Sequence, residues 1–228
     1  MPQKTKKLIS ARGRRRILVS LAETKTLRLF QEGQRLLAIA DFEHISIAQL
    51  SKAAGISVGA FYVRFSEKDA FLDFVTFHTF LTSQQRFSGA REPFSAISRL
   101  REEPADALVA QFANDEFAGV VRLSVKRGMS NWRHREAFDM YRSFVVDQMA
   151  EILSDSSDRN QKAELAIAIQ ASLGILTDAV ISWNPTQPLS LSDCRDTIVR
   201  LLSGPLGTTK LRKSKLAKEP THTHIKKV

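Results

Sequence analysis

The residues whose types and spacing could form a binding surface lie between Ser46 and Leu72, in the stretch SIAQLSKAAGISVGAFYVRFSEKDAFL. Ser46, Ser57 and Ser66 each precede a run of apolar residues at helical spacing. A serine hydroxyl at such a position accepts an N–H group of the first helical turn. Gly55 lies where the first run must stop and the chain must turn, which often requires a positive φ. The pattern predicts a helix over about 47–54, a turn over 55–57, a second helix over about 58–65 and a third from about 68.

Two short helices joined by such a turn form a helix-turn-helix, a motif that places its second helix in the major groove of DNA. The predicted second helix is poor in hydrogen-bonding groups, which come only from Ser57, Tyr62 and Arg64. The remaining outward residues of this helix are small. Small apolar side chains can contact thymine methyl groups but cannot form bidentate hydrogen bonds with a base. They are Val58, Gly59, Ala60 and Val63. We therefore expect specificity to depend on methyl contacts, on Arg64 and on DNA shape.

This stretch resembles the DNA-binding domain of TetR-family transcriptional repressors. The resemblance rests on the motif Ala-Gly-Ile-Ser at 54–57, followed by Gly59, Tyr62, Phe65, Ser66 and Leu72. It covers about 50 residues and implies that Ser46, Tyr62 and Lys68 contact DNA phosphates. Asp41 stands where the family usually has glycine, so we expect Asp41 to adopt a left-handed backbone conformation. Arg64 stands where histidine is frequent.

The net charge of +10 and the pI of about 10 suggest an anionic partner, but the charge lies in the tails. Residues 1–20 and 208–228 together carry +13, whereas residues 21–207 carry −3 and residues 21–71 have equal numbers of acids and bases. Arg14, Arg15 and Arg16 lie shortly before the first helix, where an arm could contact phosphates or an adjacent minor groove. The alternative is a solvated tail that keeps the protein soluble. The same choice applies to the carboxyl-terminal tail.

The helical periodicity of the rest of the chain predicts an all-α fold. An amino-terminal three-helix domain with the helix-turn-helix is expected to precede a helical domain for ligand binding and dimerisation. Long helices are predicted over about 24–41, 68–87, 105–127, 131–154 and 160–183, with a last one after Ser190. We expect a basic arm over 1–20, the DNA-binding domain over 21–72, the regulatory and dimerisation domain over 73–207 and a basic tail over 208–228.

The last two helices are the expected site of self-association. Residues 160–183 are apolar on nearly every side, and such a helix must be covered all round. The final helix presents a narrow seam of apolar residues at 3-4-3 spacing. Since TetR-family proteins dimerise through their last two long helices, the resemblance implies a four-helix interface and a pseudo-palindromic operator. The residues expected in the interface are Leu173, Leu176, Val180, Leu191, Cys194, Ile198 and Leu201.

The family resemblance also implies an effector pocket between the fourth helix and those that follow. Its candidate lining residues are Phe77, Phe112, Phe117, Trp132, Tyr141, Phe144 and Trp183. An aromatic lining would favour an apolar or planar compound of unknown identity. Each residue could equally belong to an ordinary hydrophobic core.

Other functions have little support in the sequence. The single cysteine excludes an internal disulfide, the five histidines lack zinc spacing, and no catalytic motif or phosphate-binding loop is present. We therefore expect no enzymatic activity, no metal, no cofactor other than the effector, no membrane segment and a cytoplasmic location. The sequence favours a homodimeric repressor that a small hydrophobic effector releases from double-stranded DNA. The alternatives are a TetR-like ligand-binding dimer without specific DNA readout and a nonspecific basic DNA-binding protein.

Overall fold

The computed structural model describes residues 23–87, 103–130, 134–154, 159–181 and 190–206. These residues form α-helices, one short 3₁₀ helix over Phe42–His44 and no strand, which confirms the all-α prediction. The helices are α1 (Thr24–Ile39), α2 (Ile47–Ala53), α3 (Val58–Tyr62), α4 (Lys68–Phe87), α5 (Pro104–Phe112), α6 (Asp115–Ser130), α7 (Glu136–Leu153), α8 (Arg159–Ile181) and α9 (Leu191–Leu206).

Serine side chains begin three of these helices as predicted. The Ser46 hydroxyl accepts the N–H of Gln49 at 3.1 Å, and the Gln49 side chain accepts the N–H of Ser46 at 2.8 Å, which completes a capping box. Ser57 caps α3 and Ser190 caps α9 in the same manner. The prediction for Ser66 was wrong, because α4 begins at Lys68 and the residue before that helix is Glu67.

The single helix predicted over 105–127 is also wrong, since α5 ends at Phe112 and α6 begins at Asp115. The Asn114 side-chain oxygen accepts the N–H of Phe117 at 2.8 Å and so provides a new N-cap. Asn114, Asp115 and Glu116 are all exposed. This break lets α5 and α6 take different directions, although the apolar spacing runs through it.

The described helices share one hydrophobic core. In the amino-terminal part, α1, α2, α3 and the start of α4 surround buried residues that include Leu50, Phe61 and Phe71. Helix α4 continues past this bundle and packs against α6 and α7. Helix α8 packs against α7 and α9. The helix-turn-helix and the carboxyl-terminal helices are therefore joined by α4 and by a direct contact between α1 and α6.

Helix α8 is the one helix in the described part of the chain that is long and apolar enough to cross a membrane. Its apolar composition has another explanation in this structure. Leu165, Ile169, Leu173 and Leu176 are fully buried against the neighbouring helices. This buried stripe is typical of a helix that packs in a protein core, and 39% of the most apolar stretch of α8 is buried within one subunit.

Candidate nucleic-acid interface

Helix α3 is anchored by its large aromatic residues and presents its small ones outward. Phe61 and Phe65 are buried and lie 5.4 Å apart between ring centroids, and each also contacts the ring of Phe71. Val63 on the opposite side is 84% exposed and Tyr62 is 51% exposed. The four-residue spacing of the two phenylalanines puts both on one face. Helix α3 is thus fixed to the domain while its other face is open to solvent.

The turn before α3 has the backbone that the sequence predicted. Gly55 has a φ of +66°, a conformation that glycine adopts without steric cost. The N–H of Ile56 donates to the carbonyl of Ser51 at 2.9 Å, and the N–H of Gly55 donates to that of Lys52 at 3.2 Å. This pair of hydrogen bonds is the Schellman motif that ends many helices. It sets the angle at which α3 leaves α2.

The predicted DNA-contacting residues are largely on this open surface. Ser46, Ser57, Val58 and Gly59 are exposed, and Ala60 is half-buried. The Tyr62 ring packs edge-on against Phe61 at 5.5 Å, so the ring is supported by the core while half of the residue remains accessible. Arg14, Arg15 and Arg16 lie outside the described residues.

Arg64 is placed differently from the expectation that it reads bases. Its side chain is only 14% exposed and forms an ion pair with Glu23, the residue that precedes α1. Its Nη1 also donates to the carbonyl of Ala60 at 2.8 Å. The guanidinium group is therefore held against the domain, away from the outward face of α3.

Lys68 is also engaged within the chain. Its Nζ donates to the carbonyl of Phe42 at 2.8 Å and lies 3.8 Å from the centroid of the Phe42 ring, in cation–π geometry. Burial lowers the pKa of this amine below its ordinary value. Lys68 therefore stabilises the 3₁₀ segment against the first turn of α4, in addition to any contact with phosphate.

One candidate contact escaped the sequence reasoning. Arg28 on α1 is exposed, and its guanidinium lies 3.9 Å from the position that a Cβ atom on Gly55 would occupy. Arg28 thus stands beside the turn of the helix-turn-helix. The four-residue spacing to Glu32 suggests an ordinary intrahelical pair. In the structure Glu32 pairs with Arg35 at 2.7 Å instead, which leaves Arg28 available to an external anion.

Residues 28–74 match the family model of the bacterial regulatory proteins of the tetR family. The matched range begins in α1, contains α2, the turn and α3, and ends in α4. The chain carries a TetR-family DNA-binding domain.

Solved structures extend the likeness to the whole TetR fold. A TetR-family regulator from Mesorhizobium loti has a TM-score of 0.59 and 12% identity, with 82% of this chain and 98% of that one covered. The fatty acid degradation regulator FadR from Bacillus halodurans gives 0.57 and 16%, with 80% and 95% covered. FadR from Bacillus subtilis in complex with stearoyl-CoA gives 0.54 and 16%, with 79% and 99% covered. No curated protein matches the chain by sequence.

The TetR-type DNA-binding domain is joined to the rest of the chain by the contact between α1 and α6. A Cβ atom on Gly119 would lie 2.3 Å from the carbonyl oxygen of Leu37, so only glycine permits this approach. Arg122 donates to the carbonyl of Ala38 at 3.1 Å, and Leu37 and Ala38 belong to the last turn of α1. Carbonyl groups there lack partners within the helix, so a cation stabilises them.

Two further cations of α6 complete this joint. Lys126 pairs with Asp41 at 2.7 Å, and its hydrogen bond holds the pKa of that carboxyl below the ordinary value. Arg127 lies 3.3 Å from Asp73 and 3.5 Å from Asp69 on α4. Asp41 has a φ of −65°, so the expected left-handed conformation is wrong. Its role is to accept Lys126.

The aromatic residues predicted to line the effector pocket of the TetR fold separate into three groups. Phe112, Phe117 and Tyr141 are buried and form a packed cluster with Phe80 and Phe138, with neighbouring ring centroids 5.2–6.4 Å apart. Phe77 and Phe144 are half-buried. Trp132 and Trp183 lie outside the described residues. The first group forms part of the hydrophobic core. Gln111, next to Phe112 in the chain, donates to the Ser83 hydroxyl at 3.4 Å.

The residues predicted for the dimer interface differ in how far they are exposed within one subunit. Leu173, Leu176, Cys194 and Ile198 are at most 2% exposed within one subunit, because they form the contact between α8 and α9 and the helices beneath. Val180, Leu191 and Leu201 are half-buried. The side of α8 that remains open carries Ala163, Ile167, Gln170 and Ala171. Ile167 is 71% exposed.

The described ranges contain no assembled metal-binding site. They contain no group of three or more histidine, cysteine, aspartate or glutamate residues that could hold a metal ion. Cys194 is buried, and desolvation raises the pKa of its thiol, so the reactive thiolate is disfavoured.

Proposed function

We propose that this protein is a cytoplasmic, homodimeric repressor that binds a pseudo-palindromic operator through α3 and is released by a small hydrophobic effector. The observation that carries the proposal is the outward face of α3, where Val63 and Tyr62 are exposed on a helix anchored by Phe61 and Phe65. Apolar side chains that are exposed in the free protein gain free energy when they leave water and contact thymine methyl groups in the bound state.

Binding through this helix would combine a few contacts to base edges with several contacts to phosphates. Val58 and Val63 would contact methyl groups, and the Tyr62 hydroxyl would donate to a phosphate. Arg28 beside the turn would contact a second phosphate. Arg14, Arg15 and Arg16 would add contacts outside the half-site and make binding depend strongly on salt.

The second half of the chain would hold the effector and the dimer interface. FadR of Bacillus subtilis has the same fold and was solved with stearoyl-CoA. The aromatic cluster around Phe117 and Tyr141, with Ser83 and Gln111 at its border, is compatible with an effector that is mainly apolar and has a few polar groups. Its binding would move α4 and lower the affinity for the operator.

Dimerisation would use the open side of α8 together with α9. Ile167 is exposed there, the neighbouring Ala163 and Ala171 are small, and a Cβ atom on Gly174 would have no neighbour within 4 Å. Small residues allow two helices to approach closely, and a second copy would cover Ile167. The seam of buried residues on α8 and α9 would then support the interface from within each subunit.

Two other functions have specific observations in their favour. The internal contacts of Arg64 and Lys68 would suit a TetR-like ligand-binding dimer that no longer reads specific DNA. The net charge of +13 in the two tails would suit a nonspecific DNA-binding protein. When a mixture of DNA sequences is offered, a repressor selects its operator, whereas neither of these two proteins selects a specific sequence.

The test is selection of genomic DNA fragments by the full-length protein, followed by binding measurements on the selected fragments. A repressor enriches a few fragments that share a pseudo-palindrome, and it keeps that preference when residues 1–20 and 208–228 are removed. A nonspecific binder enriches no motif and loses nearly all affinity on truncation. A protein without DNA readout enriches nothing in either form, and both of these results would refute the proposal.

A further inference from the structure

Glu23 connects the start of α1 with the end of the recognition helix α3. One carboxylate oxygen, Oε2, accepts the hydroxyl proton of Thr26 at 3.2 Å, and the other, Oε1, accepts from the Arg64 guanidinium. Thr26 is fully buried. The Glu23 side chain is therefore held at both oxygens, although it is half exposed.

Arg64 is held from its other side by α3 itself. Its Nη1 donates to the carbonyl of Ala60, one of the carbonyl groups that the short helix leaves without a partner in its last turn. The guanidinium thus bridges the carboxyl end of α3 and the residue before α1. Forty-one positions separate Arg64 from Glu23, so this bridge fixes two distant parts of the sequence relative to each other.

The segment that joins the domain at Glu23 is the most basic part of the amino-terminal half. Residues 1–20 contain seven lysine or arginine residues and no acid, and Arg16 is seven positions before Glu23. Seven residues of any chain span at most about 24 Å. The minor groove next to a recognition helix is about half of a ~34 Å helical turn from that helix, a distance within this upper bound.

We propose that Arg64 is a positioning residue rather than a base-reading one. Together with Glu23 it fixes the start of α1, where the basic amino-terminal segment joins the domain, relative to the recognition helix. The pair so selects the stretch of minor groove that this segment contacts. The inference rests on the proposed function, because it concerns the same DNA complex. The position of the basic amino-terminal segment on the DNA would then be set by two residues that need not contact a base.

Two substitutions separate this role from capping and packing. Glu23→Ser supplies a favourable N-cap residue for α1, where Glu23 makes no capping hydrogen bond, and removes the carboxylate that reaches Arg64. Arg64→Met keeps an apolar stem of similar length and removes the guanidinium. Glu32→Gln is the matched control, since Glu32 also lies near the start of the domain but forms its ion pair within α1, with Arg35.

The probe is the genomic fragment that the wild-type protein binds most tightly. Hydroxyl-radical footprinting on it reports protection in the minor groove, and titration with fragments carrying single base-pair changes reports base preference. Glu23→Ser and Arg64→Met should each shift or remove the minor-groove protection beside the half-site and weaken binding about fivefold, with base preference unchanged. The double variant should be no weaker than either single one, and Glu32→Gln should behave as wild type.

Three results would overturn the inference. Arg64→Met could lose preference at one base pair with the footprint intact, which would mean that Arg64 reads that base. The footprints of both variants could match the wild type, which would mean that the pair positions nothing. Glu23→Ser could still weaken binding when Arg14, Arg15 and Arg16 are all glutamine, which would mean that the pair acts on α3 or on folding. If wild type protects no site at all, the proposed function itself fails, which is a different observation.

Discussion

Helices α3 and α8 are both rich in apolar residues, but they differ in which residues face the protein core. In α3 and the residues just after it, Phe61 and Phe65 are buried, and the valines Val58 and Val63 are exposed. On α8 the leucines are buried and Ile167 is exposed. We propose that in both helices an apolar side chain open to water marks the side that meets a partner. For α3 we propose DNA as that partner, and for α8 a second subunit.

The buried residues of the two helices therefore stabilise the subunit, whereas the exposed ones are available for binding. Each helix therefore offers a matched pair of substitutions, one on its buried side and one on its open side. A change on the buried side should lower the free energy of unfolding, and a change on the open side should alter affinity alone.

The sharpest comparison is between Phe61 and Val63. Phe61→Ala removes a fully buried ring that contacts Tyr62, Phe65 and Phe71, and should lower the free energy of unfolding by about 3–5 kcal/mol. Val63→Ala should change it by less than about 0.5 kcal/mol and still weaken operator binding. Urea unfolding and fluorescence anisotropy measure the two effects. Equal destabilisation by both changes would mean that α3 has no open face.

A substitution at Gly119 tests whether the attachment of α1 to α6 depends on one backbone contact. Gly119→Ala places a methyl group against the Leu37 carbonyl and should cost about 1–3 kcal/mol of stability. Gly204→Ala is the matched control, because a Cβ atom there meets nothing within 4 Å and alanine favours a helix. Calorimetric unfolding of both variants gives the answer. An unchanged Gly119→Ala midpoint would show that α1 and α6 can separate without cost.

Ile167 tests the proposed partner of α8. Ile167→Glu places a charge where a second copy would pack, and should weaken dimerisation by about 2 kcal/mol, or roughly 30-fold. Met129→Glu, on another exposed apolar residue, should leave the dimer intact. Sedimentation equilibrium distinguishes the two. A dimer that tolerates Ile167→Glu would move the interface to another surface.

Tyr62 tests the polar group on the open face of α3. Tyr62→Phe keeps the ring against Phe61 and removes the hydroxyl, so operator binding should weaken by about 1 kcal/mol at fixed salt with stability unchanged. The dissociation constant from anisotropy measures this loss. An unchanged constant would limit readout by α3 to its apolar side chains.

A substitution at His78 tests how α4, which links the helix-turn-helix to the carboxyl-terminal helices, makes stability depend on pH. It lies on α4 among the rings of Phe30, Phe74 and Phe77, and burial lowers its pKa below the ordinary value. The unfolded chain therefore binds a proton more readily, and stability should fall as the pH decreases from about 6.5 toward the folded-state pKa. His78→Gln should flatten this pH dependence, and His44→Gln, on an exposed histidine, should not. Unfolding midpoints between pH 5 and 8 provide the measurement.

The sequence predicted the helix-turn-helix well because its determinants are local. Ser46, Gln49 and Ser57 cap helices within three residues of themselves, and Gly55 permits the turn by its own backbone. The break between α5 and α6 was missed because Asn114 interrupts an apolar periodicity that continues on both sides. An N-cap residue within a continuous apolar periodicity is only a weak signal of a helix boundary in the sequence.

The candidate site was predicted less completely because its contacts are distant in the chain. Nothing in the local sequence pairs Arg64 with Glu23 or Asp41 with Lys126. The open side of α8 could not be chosen either, since apolar residues surround that helix and only its neighbours decide which of them are covered. These contacts required the tertiary arrangement.

At Gly119 the nearest atoms of α1 are main-chain atoms of Leu37 and Ala38. Arg28 lies nine positions before Leu37 on α1 and is exposed, so its replacement should leave this contact unchanged. Under the proposed function, such a chain could acquire a new DNA target by substitution on one surface while α1 stays attached to α6. Main-chain atoms contribute to that attachment, and they are the same whichever side chains the exposed surface carries.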